Sequence, residues 1–419
     1  MSEGPPRARS GGPRIAVLGA FPFPYPQGSQ VFVADQARAL AEAGAQPVLF
    51  SYGRGLGERP RDIECAPAPV RLSPRAMRSG PNWGKPVADL ALLASWRRAA
   101  GRARRRAQAF DLVLAHNAEA ASIALLSRRS TRTPVIYVAH TLLGHELSAY
   151  LPERHAGEAN RAGRLIDRAL ARRVDGIIVL SEEAREALAP HARGPVAQIP
   201  PGFSPEPEPE PGSVMRSCTR HGLIPGRYAL YSGNLDRYQE LELLAQAGNL
   251  LPRSAPPLVI ATHDDRAGNE AATQLPDHGG RLRRVVVQDF DEMRRLLYGA
   301  LCLVAPRRRV GGFPIKLLNY METGRPIVAF DGRAPGLRHD ESAWLVDEAR
   351  GAHGLAQGLA RLDADPVQAK RLGSAARRRL ETHHPWPGVA AATLEYLGGL
   401  GGRAAPLEFV ENLPGNSLS

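Results

Sequence analysis

Cysteine, lysine and aromatic side chains are all scarce in this sequence, and each scarcity closes off a class of protein. The three cysteines, Cys65, Cys218 and Cys302, stand far apart, are odd in number and form no C-x-x-C pair. That excludes a disulfide scaffold and a zinc cluster, and it fits a reducing cytoplasm. No run of about 18 uncharged apolar residues occurs, so no segment reads as a membrane span. Residues 1–13 carry basic side chains but no apolar stretch, and read as a disordered leader rather than a signal peptide. Aromatics make up only 6% and no nucleic-acid module is recognisable, so the net charge of +12 does not imply a nucleic-acid partner. Of 54 basic residues only Lys85, Lys316 and Lys370 are lysines; arginine supplies the rest. Much of that excess reads as solvated surface, and the remainder as attraction for phosphates or lipid headgroups.

What is present is a rhythm. At 419 residues the chain exceeds the about 250–300 residues that one core sustains, so two domains are expected. Apolar runs at 14–21, 46–51, 111–115, 134–139 and 175–180 read as buried strands, separated by helical segments such as 29–43, 117–128 and 159–173. Gly44 suits a helix stop, and Ser181 followed by Glu182 and Glu183 suits a helix start. Residues 204–213 alternate proline and glutamate, which cannot build a core and read as a stiff linker over 204–216. The rhythm then restarts, with strands at 227–232, 257–261, 284–288, 301–305 and 326–330 and helices at 237–250, 291–299, 314–323, 354–362 and 366–382. Apolar strands alternating with helices imply an α/β protein of two doubly wound parallel sheets, 14–203 and 217–395, followed by a tail over 396–419. Ligands of such sheets lie beyond the carboxyl ends of the strands, so a cleft faced by both domains is the expected site.

Four strand ends carry candidate chemistry. Gly28, in PYPQGSQ, permits close backbone approach to an anion at a helix start. His140 follows the strand PVIYVA and can exchange hydrogen bonds with sugar-like hydroxyls, whereas His116 ends a different strand and is the weaker candidate. In SGNLDRYQELELL, Arg237 can grip a phosphate in a forked pair of bonds. The most specific segment is APRRRVGGFPIKLLNYMETGRPIVAF. There Gly311 and Gly312 turn the chain, Phe313 and Pro314 open a helix, Lys316 and Arg307–Arg309 add charge, and the helix start forms a diphosphate cradle. Leu92, Leu93 and Trp96, beside the arginines of 92–108, suit either an ordinary surface helix of the first domain or one that rests on an anionic membrane.

These segments together resemble retaining GT-B glycosyltransferases of family four, over nearly all of residues 14–395. The resemblance rests on RIAVLGAFPFPYPQGSQ, VIYVAHTLLGHEL, YALYSGNLDRYQELELL and GGFPIKLLNYMETGRPIVAF. It implies transfer of a sugar from a nucleotide-diphosphate donor to a hydroxyl acceptor, without a metal or other cofactor. Gly28 matches the loop against the donor diphosphate, and His140 the histidine near the reacting sugar. Asn234 and Gln239 stand where the family has its diphosphate-binding arginine and lysine, and Arg237, Lys316 or one of Arg307–Arg309 is left to supply the charge. Gly311 and Asn319 stand where it has paired glutamates, and Asn319 can still accept from a ribose through its amide oxygen. The alternative reading of these departures is a nucleotide-sugar-binding partner subunit of an active enzyme.

Overall fold

The computed structural model describes residues 12–400, apart from 26–27, 54, 56–57, 59, 71–83, 152, 236–238, 264–280 and 310–311. The leader, most of the tail, the site candidates Arg237 and Gly311, and the adjacent pair Asp264–Asp265 lie outside the described residues.

The chain divides into two compact units. In the first, β1 (Arg14–Gly19), β2 (Gln46–Phe50), β3 (Glu64–Cys65), β4 (Leu112–His116), β5 (Val135–Ala139), β6 (Gly176–Val179) and β7 (Val196–Gln198) form a parallel sheet in the order β3-β2-β1-β4-β5-β6-β7. The intervening helices are α1 (Gly28–Glu42), α2 (Lys85–Arg105), α3 (Asn117–Thr131), α4 (Leu143–Tyr150), α5 (Glu153–Ala171) and α6 (Glu182–Leu188). Sequence logic holds at the helix ends. Gly44 takes φ +92° and lets Ala45 N–H donate back to Leu40 O at 2.9 Å, and Ser181 Oγ accepts from Ala184 N–H.

The second unit opens with α7 (Pro211–Arg220) and builds a parallel sheet from β8 (Ala229–Ser232), β9 (Leu258–Thr262), β10 (Leu282–Val286), β11 (Cys302–Ala305), β12 (Ile327–Phe330) and β13 (Trp344–Val346). Its order is β10-β9-β8-β11-β12-β13. The helices are α8 (Glu242–Leu250), α9 (Phe290–Gly299), α10 (Lys316–Glu322), α11 (Gly351–Ala364) and α12 (Pro366–His383). The two-sheet α/β expectation is therefore met. In both sheets the order reverses beside the first strand, between β1 and β4 and between β8 and β11, which is where such sheets leave room for ligands.

Three expectations need revision. The last helix, α13 (Trp386–Gly399), belongs to the first unit rather than the second: Tyr396 Oη accepts from Ile177 N–H at 2.8 Å, and Trp386 lies 5.7 Å from the Phe32 ring. The Pro/Glu stretch is not a linker over all of 204–216, because α7 begins at Pro211. Glu206 and Glu322 together hold the guanidinium of Arg294, which is 6% exposed, while Arg377 bonds Glu208, so the stretch is pinned along the second unit. Burying one arginine requires such pairing. Finally, Leu92 and Trp96 do not face outward. Trp96 is enclosed with Phe50 and Phe110, and its Nε1–H donates to Ser127 Oγ at 2.8 Å. Burying a ring of about 200 Å² contributes on the order of 5 kcal/mol, far more than a lipid surface contact offers a helix that needs this face for its own core. The arginines at 97, 98, 102 and 104–106 remain on the outer face of α2.

Candidate functional site

In the first unit the carboxyl ends of β4 and β5 bring two histidines together. The strands pair in parallel with His116 opposite Val138, so the last residue of β4 sits beside the turn that follows β5. His116 Nδ1 and His140 Nε2 lie 2.8 Å apart, and Phe32 from α1 meets the His140 ring edge-on at 4.8 Å. Burial holds His140 down at about 3, and burial with the neighbouring His140 holds His116 well below the ordinary imidazole range. Both rings are thus neutral at physiological pH. Gly312 and Phe313 are grouped with this unit: at φ +62° Gly312 runs so close to the chain that a β carbon on it would lie 2.1 Å from His140 O and 2.6 Å from Thr141 Oγ1. Only glycine fits that approach. Gly28 is the exposed first residue of α1.

Carboxylates gather on the same side. Asp167 accepts from Leu143 N–H at 3.2 Å and Gly144 N–H at 3.1 Å, capping α4. Lys85 lies 3.6 Å from Glu119 in the first turn of α3. Glu146 on α4 is pushed up to about 7 by burial and by the charge of Glu119, against the pull of Lys85. A carboxyl with that affinity exchanges protons near neutral pH, which suits contact with a hydroxyl group.

In the second unit the reversal point is wedged open by a side chain. β8 and β11 pair only as far as Leu230 and Leu303, and beyond that Tyr320 Oη, from α10, accepts Ser232 N–H at 2.8 Å. The chain then passes Gly233 at φ +136°. Over that glycine reaches Lys316, whose Nζ donates to Tyr231 Oη at 2.8 Å and to Gln239 Oε1 at 2.9 Å. Tyr231 Oη donates in turn to Asn234 O at 2.8 Å, and Gln239 Nε2 to Asn234 Oδ1 at 3.0 Å. The four residues close a hydrogen-bonded ring that fixes one ammonium at the carboxyl end of the sheet. Asn319, three residues after Lys316, lies on the same helical face and is half-buried.

The structure places Pro314 two residues before α10, where its carbonyl accepts from Leu317 N–H at 2.8 Å. The arginine run is partly spent: Glu240 accepts from the backbone N–H groups of Arg308 and Arg309 at 2.6 and 3.0 Å and pairs with the Arg308 guanidinium. Glu322 is committed to Arg294. Sequence reasoning gave His116 little weight and did not single out Tyr231, Tyr320 or Glu240, which the structure sets beside the candidate residues. Strand adjacency was the one available signal for His116, since neighbouring parallel strands carry their carboxyl-end residues side by side.

Comparison with known proteins agrees with the two-sheet fold. Residues 26–207 match the model of "Glycosyltransferase Family 4", and residues 226–365 that of "Glycosyl transferases group 1". The chain is 26% identical to a D-inositol 3-phosphate glycosyltransferase of Streptomyces bingchenggensis (strain BCW-1), over 91% of this chain and 88% of that one. Among solved structures it is similar to the sucrose-phosphate synthase of Thermosynechococcus elongatus, at 19% identity and TM-score 0.74, covering 94% of this chain and 100% of that one. It is also similar to Anabaena Alr3699/HepE, solved with UDP-glucose, at 15% identity and TM-score 0.70, covering 92% and 99%. Two parallel doubly wound sheets with these matches define a GT-B glycosyltransferase, an enzyme of the sugar-transferring class. Within that class the chain belongs to family four.

Proposed function

We propose that the enzyme transfers a sugar, with retention of configuration and without a metal ion, from a nucleoside-diphosphate sugar to a hydroxyl acceptor. The observation that carries this reading is the Lys316 ring: a fixed ammonium at the reversal point of the second sheet, where an anionic ligand is expected. Lys316 neutralises charge that develops on the departing diphosphate, the role a metal ion fills elsewhere. Asn319 receives the ribose hydroxyls through its amide oxygen, and Asn234, Arg237, Gly311, Phe313 and Pro314 are further candidate contacts for the donor. The Anabaena neighbour solved with UDP-glucose supports a nucleotide-sugar donor. His140, with Gly28 and Gly312, serves the reacting sugar. The outward arginines of α2 support electrostatic contact with an anionic membrane surface, and among the described residues no helix is long and apolar enough to cross one.

A thermal-shift panel of UDP-, GDP-, ADP- and dTDP-sugars tests the reading. A ligand that binds only the native state stabilises it by about 2.7 kcal/mol at 100 times its Kd. At least one sugar nucleotide should raise the melting temperature, equally with and without EDTA, and should be hydrolysed above background. Its transfer product should keep the anomeric configuration of the donor. No shift with any member of the panel refutes donor binding; a shift without hydrolysis or transfer makes the chain a binding subunit.

A further inference from the structure

We propose that His116 is a positioning residue that sets the tautomer of His140, so that His140 offers a hydrogen-bond donor, Nδ1–H, to an oxygen of the substrate. The proposal rests on the reading of His140 as a substrate contact and adds the direction of its hydrogen bond. Two neutral imidazoles share one proton across the 2.8 Å contact between His116 Nδ1 and His140 Nε2. Suppose the proton sat on His140 Nε2. His116 would then carry its own proton on Nε2, an atom that is fully enclosed and has no hydrogen-bond partner. The alternative puts the proton on His116 Nδ1 and leaves only a lone pair enclosed at Nε2. Buried N–H groups without acceptors are the rarer defect in folded proteins, so the second arrangement prevails. With its Nε2 lone pair occupied, neutral His140 must be protonated on Nδ1. That atom makes no hydrogen bond among the described residues, and the residue keeps 7% of its surface exposed. The edge of Phe32, at 4.8 Å and 85° to the His140 ring, holds the ring against rotation. The unpaired Nε2 of His116 is then the cost of aiming His140.

The test is selective ¹⁵N-histidine labelling with long-range proton–nitrogen correlation on the whole chain at neutral pH, resonances being assigned by His116→Asn and His140→Gln. The expected spectrum shows His140 protonated on Nδ1 and His116 likewise; protonation of His140 on Nε2 overturns the proposal without reference to any ligand. In kinetics, His116→Leu should lower kcat for hydrolysis of the sugar nucleotide that shifts melting most by on the order of 10–100-fold, with KM within about twofold. His116→Asn, whose amide N–H replaces the Nδ1 donor, should restore most of that loss. An unchanged kcat in His116→Leu, or a loss in His116→Asn as large as in His116→Leu, also overturns it. Failure of the wild type to bind any sugar nucleotide would refute the proposed function while leaving the tautomer assignment readable from the spectrum.

Discussion

Replacing Lys316 with methionine separates a structural lysine from one that holds a ligand. In the folded protein the ammonium donates to Tyr231 Oη and to the buried Gln239 Oε1, so methionine leaves one enclosed acceptor without its donor. An orphaned group of that kind costs about 1–3 kcal/mol. In a unit of this size each kcal/mol moves the melting temperature by about 2–4 °C, so a fall of about 2–12 °C is expected. The binding effect is a separate quantity. A charge-assisted contact to a diphosphate is worth about 1.5–3 kcal/mol, which at about 1.4 kcal/mol per decade weakens nucleotide binding about 10–150-fold. Titration calorimetry with the sugar nucleotide that shifts melting most gives the dissociation constant below the variant's melting temperature, where unfolding does not contribute. Lys316→Arg keeps the charge but not the compact geometry, and should fall between wild type and methionine. A Kd within about threefold of wild type, alongside the predicted loss of melting temperature, would confine Lys316 to bracing the ring and refute its assignment to the diphosphate.

Two further outcomes follow from the first unit. Gly312→Ala places a β carbon 2.1 Å from His140 O at φ +62°, so the local backbone must shift by about an ångström or more to relieve the contact. Initial-rate assays should show kcat reduced about tenfold or more; a wild-type rate would mean that this close approach is not used. Glu146 is raised from 4.5 to about 7 in the folded state, so folding favours its protonated form: its stabilising contribution is complete below 4.5 and disappears as pH climbs through 7. Glu146→Gln cannot ionise and should therefore melt progressively higher than wild type as pH is raised from about 5 to about 8. A difference in melting temperature that does not change with pH would contradict the burial of this carboxyl.

Sequence alone determined the architecture. Short apolar runs such as VIYVA and GIIV are buried on both faces, and their alternation with helical segments points to a parallel sheet covered by helices. It also determined helix punctuation at Gly44 and Ser181, because those signals act within a few residues of themselves. Short strands such as β3, β7 and β13 escaped, since two or three residues carry no periodicity. The amphipathic face of α2 was legible, but not what covers it: the same leucine and tryptophan suit a core or a lipid surface, and only the packing of Phe50 and Phe110 around Trp96 settles it. The return of α13 to the first unit and the pinning of the Pro/Glu stretch were equally hidden, because both depend on partners such as Ile177 and Arg294 that are remote in the chain. The chemistry shows the same division. The sequence supplied Lys316 and His140; tertiary structure decided which oxygen atoms hold the ammonium and which imidazole faces the other, because hydrogen bonds are made between atoms brought together in space, whatever their separation along the chain.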